Sequence, residues 1–373
     1  MKFTVQGKDF LTQLNASAKV LNSKNTIGIL DNFLIRLQGA RLSITASDSE
    51  NVMTSSLEAF ETEGEGCFAV PAKRLIEMMK EIANQPINFS VSDNFLVNVK
   101  YQNGNFSFMG VDPAPFPLPA SLEADASRIE IPASVVKAGL GKTMFAVSTD
   151  TVRPVMTGIY WDFYADKIIF VSSDTHKLVR YENTTFAPGR ELSFVLHSKT
   201  AGVVNSLLSD EAELVDVQLD SKSAIFKFGN YELNCRFLKG KFPQYDRVIP
   251  RDNPYEIVVD RQSLISAVRR VGIFASKSSM LVRFGVDDMG IKLATQDLDY
   301  SLQASETVAC DYNGTPLSIG FRTDYTTEVL TNLDDDTVVI KVSDSARPAL
   351  FVPQKDKEGE SVIMLQMPVQ VID

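Results

Sequence analysis

The chain holds two histidines, and one lies in SSDTHKLV, residues 172–179. Ser173, Asp174 and His176 are the three side-chain types of a nucleophilic triad. Their spacing argues against that chemistry. A triad is assembled from residues usually distant in sequence, with the serine on a strained turn beside an oxyanion hole. No GxSxG occurs in the chain. LGKT, residues 140–143, echoes a phosphate-binding loop, but that loop needs a glycine where Val136 stands. Asp334, Asp335 and Asp336 invite a metal, yet they follow an expected helix, where a solvated turn is the simpler reading. His197 follows an expected strand and opens an expected helix, so capping or packing is its default role. No zinc spacing, calcium loop or dinucleotide fingerprint is found. The expectation is no metal, no cofactor and no catalytic residue.

A different constellation survives this sorting. KGKFPQYDRVIP, residues 239–250, brings Pro243, Tyr245, Arg247 and Val248 close together. LQMPVQVID closes the chain and is apolar. Apolar surface with a few charges around it suits docking of a short peptide.

Elements must position these residues, and the chain repeats them. KFTVQGKDFLTQLNASAKVL, RIEIPASVVKAGLGKTMFAV and YEIVVDRQSLISAVRRVGIFA start at Lys2, Arg128 and Tyr255, a period of about 126 residues. Each reads as a strand, a turn and an amphipathic helix. A second strand–helix set starts at Phe68, Phe194 and Ile319, and a strand–turn–strand set at Arg41, Lys167 and Gly290. In the last set Asp48, Asp174 and Asp297 fall near one another, so Asp174 reads as part of a turn used three times. His176 has no counterpart in the other two repeats. Proline-rich VDPAPFPLPAS and RVIPRDNP precede the second and third repeats, as linkers do. Three domains follow, 1–125, 126–253 and 254–373. Stretches such as FLIRLQ, RLSITAS and FLVNVKY alternate apolar and polar residues, which predicts half-buried antiparallel strands. The fold class is α+β, built from six strand–helix–strand units.

Composition sets the remaining bounds. At 44 % hydrophobic and 23 % charged, 373 residues suffice for more than one core. Cys67, Cys235 and Cys310 are far apart and odd in number, which fits reduced thiols in a cytoplasm. No apolar run is long enough to span a bilayer, and MKFTVQGKDF carries no secretory signal. A cytoplasmic protein with no membrane partner is expected. A net charge of −10 argues against nucleic acid only if it is spread evenly. It is not: the expected helices and their flanks carry a basic excess, while SLEAFETEGEGC, LLSDEAEL and NLDDDT concentrate acids elsewhere.

MKFTV, TIGILDNFLI, VPAKRL, SSDTHKLV, GKFPQYDRVIP and QMPV stand in an order and spacing that resemble the bacterial sliding clamp family, the beta subunit of replicative DNA polymerase III. The resemblance runs end to end. It implies a head-to-tail homodimer, a ring of six domains with helices lining the hole and sheets outside, which would separate the basic from the acidic surface. It implies double-stranded DNA contacted without sequence preference, a replicative polymerase catalytic subunit, a clamp loader, and other polymerases and repair proteins with short docking motifs.

Carried over residue by residue, the resemblance implies DNA contacts at Lys24, Lys73, Arg74, Arg153 and Lys199. Pro154 and Val155 replace a tyrosine pair that can follow the arginine. It implies a peptide groove formed by Ser173, Thr175, His176, Lys177, Leu178, Pro243, Arg247, Val248, Met367 and Pro368, with Ala346 and Pro348 as its wall from the third domain. Thr175 stands in place of a glycine and Lys177 of an arginine, Gln366 and Val369 also depart from the usual choices, and the tail runs past the usual end. It implies a dimer interface with Phe106 and Phe108 facing Ile273 and Phe274, and with Asp297 and Asp299 meeting basic partners.

Overall fold

The computed structural model describes residues 1–23, 25, 27–119, 121–209 and 214–370. Its α-helices are α1 (Gly7–Ala18), α2 (Ala72–Ile82), α3 (Ala133–Thr143), α4 (Ser198–Leu207), α5 (Arg261–Gly272) and α6 (Thr323–Thr331). Each follows directly on a strand, as the repeated pattern predicts. The amphipathic spacing decides which face is buried: Phe10 and Leu14 on α1, Leu75, Met79 and Ile82 on α2, Leu264, Val268 and Val271 on α5. Asp260 caps α5 by accepting from the Ser263 amide at 2.7 Å, which satisfies one orphan donor of the first turn. LGKT lies at the end of α3, where Thr143 donates to the Gly139 carbonyl; it forms no loop around a phosphate.

The strands are antiparallel throughout the described sheets and fall into two compact units. One unit comprises Met1–Val136 and Lys199–Phe237. It holds a five-stranded sheet in the order Phe60–Glu63, Lys2–Gln6, Pro86–Val91, Leu96–Tyr101, Gly104–Met109. Its eight-stranded sheet runs Ser127–Pro132, Leu214–Leu219, Ser223–Phe228, Tyr231–Arg236, Asn51–Glu58, Arg41–Ser47, Asn32–Gln38, Gly66–Pro71.

The other unit comprises Lys137–Ser198 and Leu238–Asp373. Its nine-stranded sheet runs Leu192–His197, Gly158–Phe163, Ile168–Ser173, Lys177–Asn183, Glu360–Gln366, Ala349–Pro353, Thr337–Val342, Tyr255–Asp260, Asp311–Tyr312. A four-stranded sheet runs Leu302–Val308, Gly290–Asp297, Leu281–Asp287, Leu317–Arg322. The compact units therefore do not follow the sequence repeats. The middle repeat contributes strands to both, because hydrogen-bonded sheets run on across the linker positions.

Alternation holds for Leu281–Asp287 but not for Ile168–Ser173, every residue of which is buried. Both faces of that strand are covered. Phe170 packs on Trp161 on one side, with ring centroids 4.6 Å apart. Gly139 of α3 lies so close that a Cβ there would sit 2.4 Å from the Phe170 ring. Ile169 and Val171 face the other way, into a cluster with Phe242 and Tyr245 from the last segment of the middle repeat.

Candidate functional site

SSDTHKLV is the end of one strand, a tight turn and the start of the next. Asp174 Oδ1 accepts from the amides of His176 at 2.9 Å and Lys177 at 2.8 Å. Asp48 does the same for Glu50 and Asn51, at 3.0 and 2.7 Å. Ser173 Oγ donates to the Lys177 carbonyl and accepts from the Thr175 amide, so its hydroxyl closes the turn rather than meeting His176. In the third repeat Asp297 pairs across its hairpin with Leu302, as Ser173 does with Leu178 and Ser47 with Val52. Asp297 thus occupies the serine position, one residue before the aspartate of the other two turns. Its Oδ1 accepts from Asp299 at 3.1 Å. Only 6 % exposed, it serves its own turn and does not present a carboxylate to a partner.

Thr175 has φ 78°, a left-handed backbone that disfavours a Cβ. Ser49, at the same position of the first turn, has φ 79°. The glycine expected there by resemblance would relieve this strain.

Three expected groove residues lie under the surface, the turn-closing Ser173 among them. Leu178 is 4 % exposed and belongs to a cluster with Met156, Val195, Phe242, Tyr245, Leu350 and Leu365. Leu178, Leu365 and Leu350 are directly opposite one another on three adjacent strands. Lys177, 5 % exposed, donates to Asp174 Oδ2 at 2.5 Å and lies 3.1 Å from Glu328 Oε2. Its ammonium sits 4.5 Å from the centre of the Tyr325 ring. Burial opposes its charge, but the hydrogen bonds and charges of Asp174 and Glu328 outweigh that, and Lys177 titrates above the ordinary lysine range. A buried ammonium held this way is part of the scaffold. Sequence spacing cannot reveal this, because Tyr325 and Glu328 come from α6 in another repeat.

The exposed rim of the cluster is what a peptide can touch. His176 is exposed and stacks on Tyr325 with centroids 5.6 Å apart. Pro243, Arg247 and Val248 are exposed, the last by 53 %. Met367 is 39 % exposed, and its amide donates to the His176 carbonyl at 2.8 Å, which fastens the chain end beside the turn. Val369 bridges to Gly320. Gln366 is fully buried, with its side chain bonded to Thr326 and the Arg322 carbonyl. Pro348 leads into the strand of Leu350, and Ala346 is exposed on the turn before it.

Sequence reasoning missed the support behind this rim. Asp162 accepts from Tyr245 at 2.9 Å and Tyr164 at 3.0 Å, both on Oδ2. Tyr160 lies parallel to Phe242 at 5.0 Å. Burial, reinforced by the nearby Asp162 charge, pushes the Tyr245 hydroxyl far above the ordinary tyrosine range, so it stays a donor. The alternating YWDFY of residues 160–164 carried the signal, an acid between tyrosines on one face of a strand.

The expected DNA residues divide. Lys73 and Arg74 are exposed on the first turn of α2, and Arg153 is exposed ahead of the short helical turn Pro154–Thr157. Lys199 instead donates to Asp48 Oδ2 at 2.6 Å and to Asn22 Oδ1 at 2.7 Å. Burial alone would raise Asp48, but the bond and charge of Lys199 and the bonds from Asn51 together outweigh it and hold the carboxyl below its ordinary value. Lys24 lies outside the described residues. Of the expected interface residues, Phe106 and Phe108 are half-buried on the edge strand Gly104–Met109, Ile273 and Phe274 are 76 % and 38 % exposed, and Asp299 is exposed. Among the described residues no His, Cys, Asp and Glu cluster suits a metal. Asp334 is bound to Lys142 and Lys357.

Tripled strand–helix units joined through antiparallel sheets, with an apolar cluster rimmed by exposed side chains, define a repeat-built binding scaffold. Models of the N-terminal, central and C-terminal domains of the DNA polymerase III beta subunit match residues 1–120, 130–244 and 246–367. The chain belongs to that family, the bacterial sliding clamps, which are non-catalytic accessory subunits that serve as polymerase processivity factors in DNA replication. A beta sliding clamp of Staphylococcus aureus is 24 % identical over 99 % of both chains. The fold is that of a sliding clamp from Bartonella birtlesii, 28 % identical with a TM-score of 0.92, and of one from Pseudomonas aeruginosa, 24 % identical with a TM-score of 0.93; each likeness covers both chains completely.

Proposed function

We propose that two copies of this chain, each with domains 1–125, 126–253 and 254–373, close head to tail into a ring around duplex DNA. The ring slides in the cytoplasm while partners dock on the rim built around Leu178, Leu350 and Leu365. The observation that carries this reading is the rim itself. Pro243, Val248 and Met367 expose apolar surface over one continuous cluster, beside the only exposed histidine turn of the three repeats. Such a surface takes apolar side chains of an extended peptide, with His176 and Arg247 available for its polar groups.

Processivity then has a topological cause. Phosphate contacts from exposed bases such as Arg153 are individually weak and blind to sequence, so they permit sliding. Release requires the ring to open. Lys199, engaged with Asp48, shapes this surface rather than gripping phosphate. A clamp-loader ATPase opens the ring, since the chain carries no nucleotide-binding motif. The replicative polymerase catalytic subunit, other polymerases and repair proteins would compete for the same rim through short motifs.

The test separates docking from encirclement. Val248→Asp and Met367→Asp place a charge in the apolar rim without touching the cluster beneath. Both variants should still be loaded onto primed circular DNA by the loader, yet fail to support long products from the replicative polymerase. Long products at the wild-type level would remove the rim from the mechanism.

A further inference from the structure

A cation is set into the apolar cluster beneath the rim. Arg180 follows Leu178 by two residues on the same strand, so both face the rim, about 7 Å apart. It pairs with Val171 on one side and Ile363 on the other, and both of these pack in the cluster. The equivalent hairpin position holds Thr54 in the first repeat, opposite Thr45, and Ala304 in the third, opposite Thr295. A cation there is therefore no requirement of the repeated fold. Like His176, it belongs to the middle repeat alone.

Its charge is only partly matched. The guanidinium bonds Glu182, but Glu182 Oε2 also accepts from Lys167 at 3.1 Å, so one carboxylate serves two cations. Burial alone would raise Glu182, yet the bonds and charges of Lys167 and Arg180 outweigh it and hold the carboxyl below its ordinary value. Asp162, the acid beside Tyr245, is taken by the hydroxyls of Tyr245 and Tyr164. Among the described residues the remaining acid at Arg180 is Asp246, whose Oδ1 stands 4.0 Å from Arg180 Nε. The arginine side chain is 15 % exposed and that of Asp246 61 %. Asp246 lies in the short helical turn Tyr245–Arg247, with a cluster residue before it and the rim residues Arg247 and Val248 after it. A loosely held, solvated carboxylate thus covers a nearly buried guanidinium at the edge of the rim.

We infer that Arg180 reads a carboxylate on the docked peptide, which takes the place of Asp246. This rests on the peptide rim proposed above and deepens it: the preferred ligand is an extended peptide with an acidic residue beside its apolar anchor. The incoming carboxylate meets a guanidinium already stripped of most of its water, and the planar fork of arginine suits it. Asp246 returns to solvent, and a loose ion pair at an exposed acid is worth little when broken. A peptide with an uncharged residue at that position leaves Arg180 to Asp246 and gains nothing from it, so the exchange discriminates between ligands.

The experiment titrates the full chain into two forms of one labelled polymerase docking peptide, with aspartate or asparagine beside the apolar anchor, and reads fluorescence anisotropy. Wild type should favour the aspartate form about tenfold. Arg180→Met should bring the two forms within about twofold of each other, and Arg180→Lys should keep part of the preference because a cation remains. Asp246→Asn removes the competing carboxylate and should tighten the aspartate form about threefold. That variant lies on an exposed turn, so it carries the test even where Arg180→Met alters folding, which Trp161 emission during urea unfolding would show. Failure of wild type to bind either form would overturn the rim itself. Equal binding of both forms by wild type, or a preference that survives in Arg180→Met, would keep the rim and overturn the role of Arg180. Weaker binding of the aspartate form by Asp246→Asn would overturn the exchange.

Discussion

Replacing Lys177 by Met removes a buried ammonium but keeps an unbranched side chain of similar length. Three groups lose a partner. Asp174 loses the bond to Oδ2 yet keeps two backbone amides on Oδ1. Glu328 is about half exposed and rehydrates. The Tyr325 ring loses a cation on its face. Breaking a fully buried pair costs about 3–5 kcal/mol, and the retained amides and the solvated Glu328 bring this down to about 2–3 kcal/mol. Trp161 is the only tryptophan and is fully buried in the same nine-stranded sheet, so its fluorescence during urea unfolding reports on the affected unit. The pH dependence is fixed by sign. A lysine raised above its ordinary 10.5 contributes stability that is complete below that value and lost as pH rises through the folded value. The gap between wild type and Lys177→Met should therefore be flat between about pH 6 and pH 9 and close only in strong alkali. A gap under about 0.5 kcal/mol, or one that changes across the neutral range, would refute the assignment of Lys177 as a scaffold ion.

Thr175→Gly should stabilise by about 0.5 kcal/mol, since relief of the left-handed strain exceeds the entropy glycine loses on folding; a lower urea midpoint would contradict this. Asp48→Asn should destabilise by about 2 kcal/mol at neutral pH. Because Asp48 titrates below its ordinary 3.8, that difference should persist above this value and vanish as the pH falls through the lower folded one, as hydrogen exchange of residues 41–58 can follow. Tyr245→Phe should weaken binding of a polymerase docking peptide severalfold, measured by fluorescence anisotropy, with the dimer unchanged. Equal affinity would show that the Asp162 bond does not position the rim.

Local physics made much of this fold readable. Period-two alternation and helical amphipathicity located the helices and strands of all three repeats, because both reflect one buried face. What failed was nonlocal. Ile168–Ser173 is covered on both faces by segments far away in sequence, so its polar Ser172 and Ser173 misrepresent its burial. Lys177 and Leu178 read as surface residues because nothing in SSDTHKLV announces α6 above the turn or the strand Glu360–Gln366 beside it. Asp297 misled by identity: an aspartate at the serine position performs the serine's task. The Asp162 support was missed for the same reason, since Tyr245 arrives from 83 residues away.

The central claim, encirclement, is tested most directly on DNA of defined topology. Loader, ATP and this protein are incubated with nicked circular DNA, the complex is freed of unbound protein, and half is linearised by a single cut. An encircling ring should stay on circles and be lost rapidly from the linear form, with blocks at both ends restoring retention. Equal retention on circular and linear DNA would contradict it.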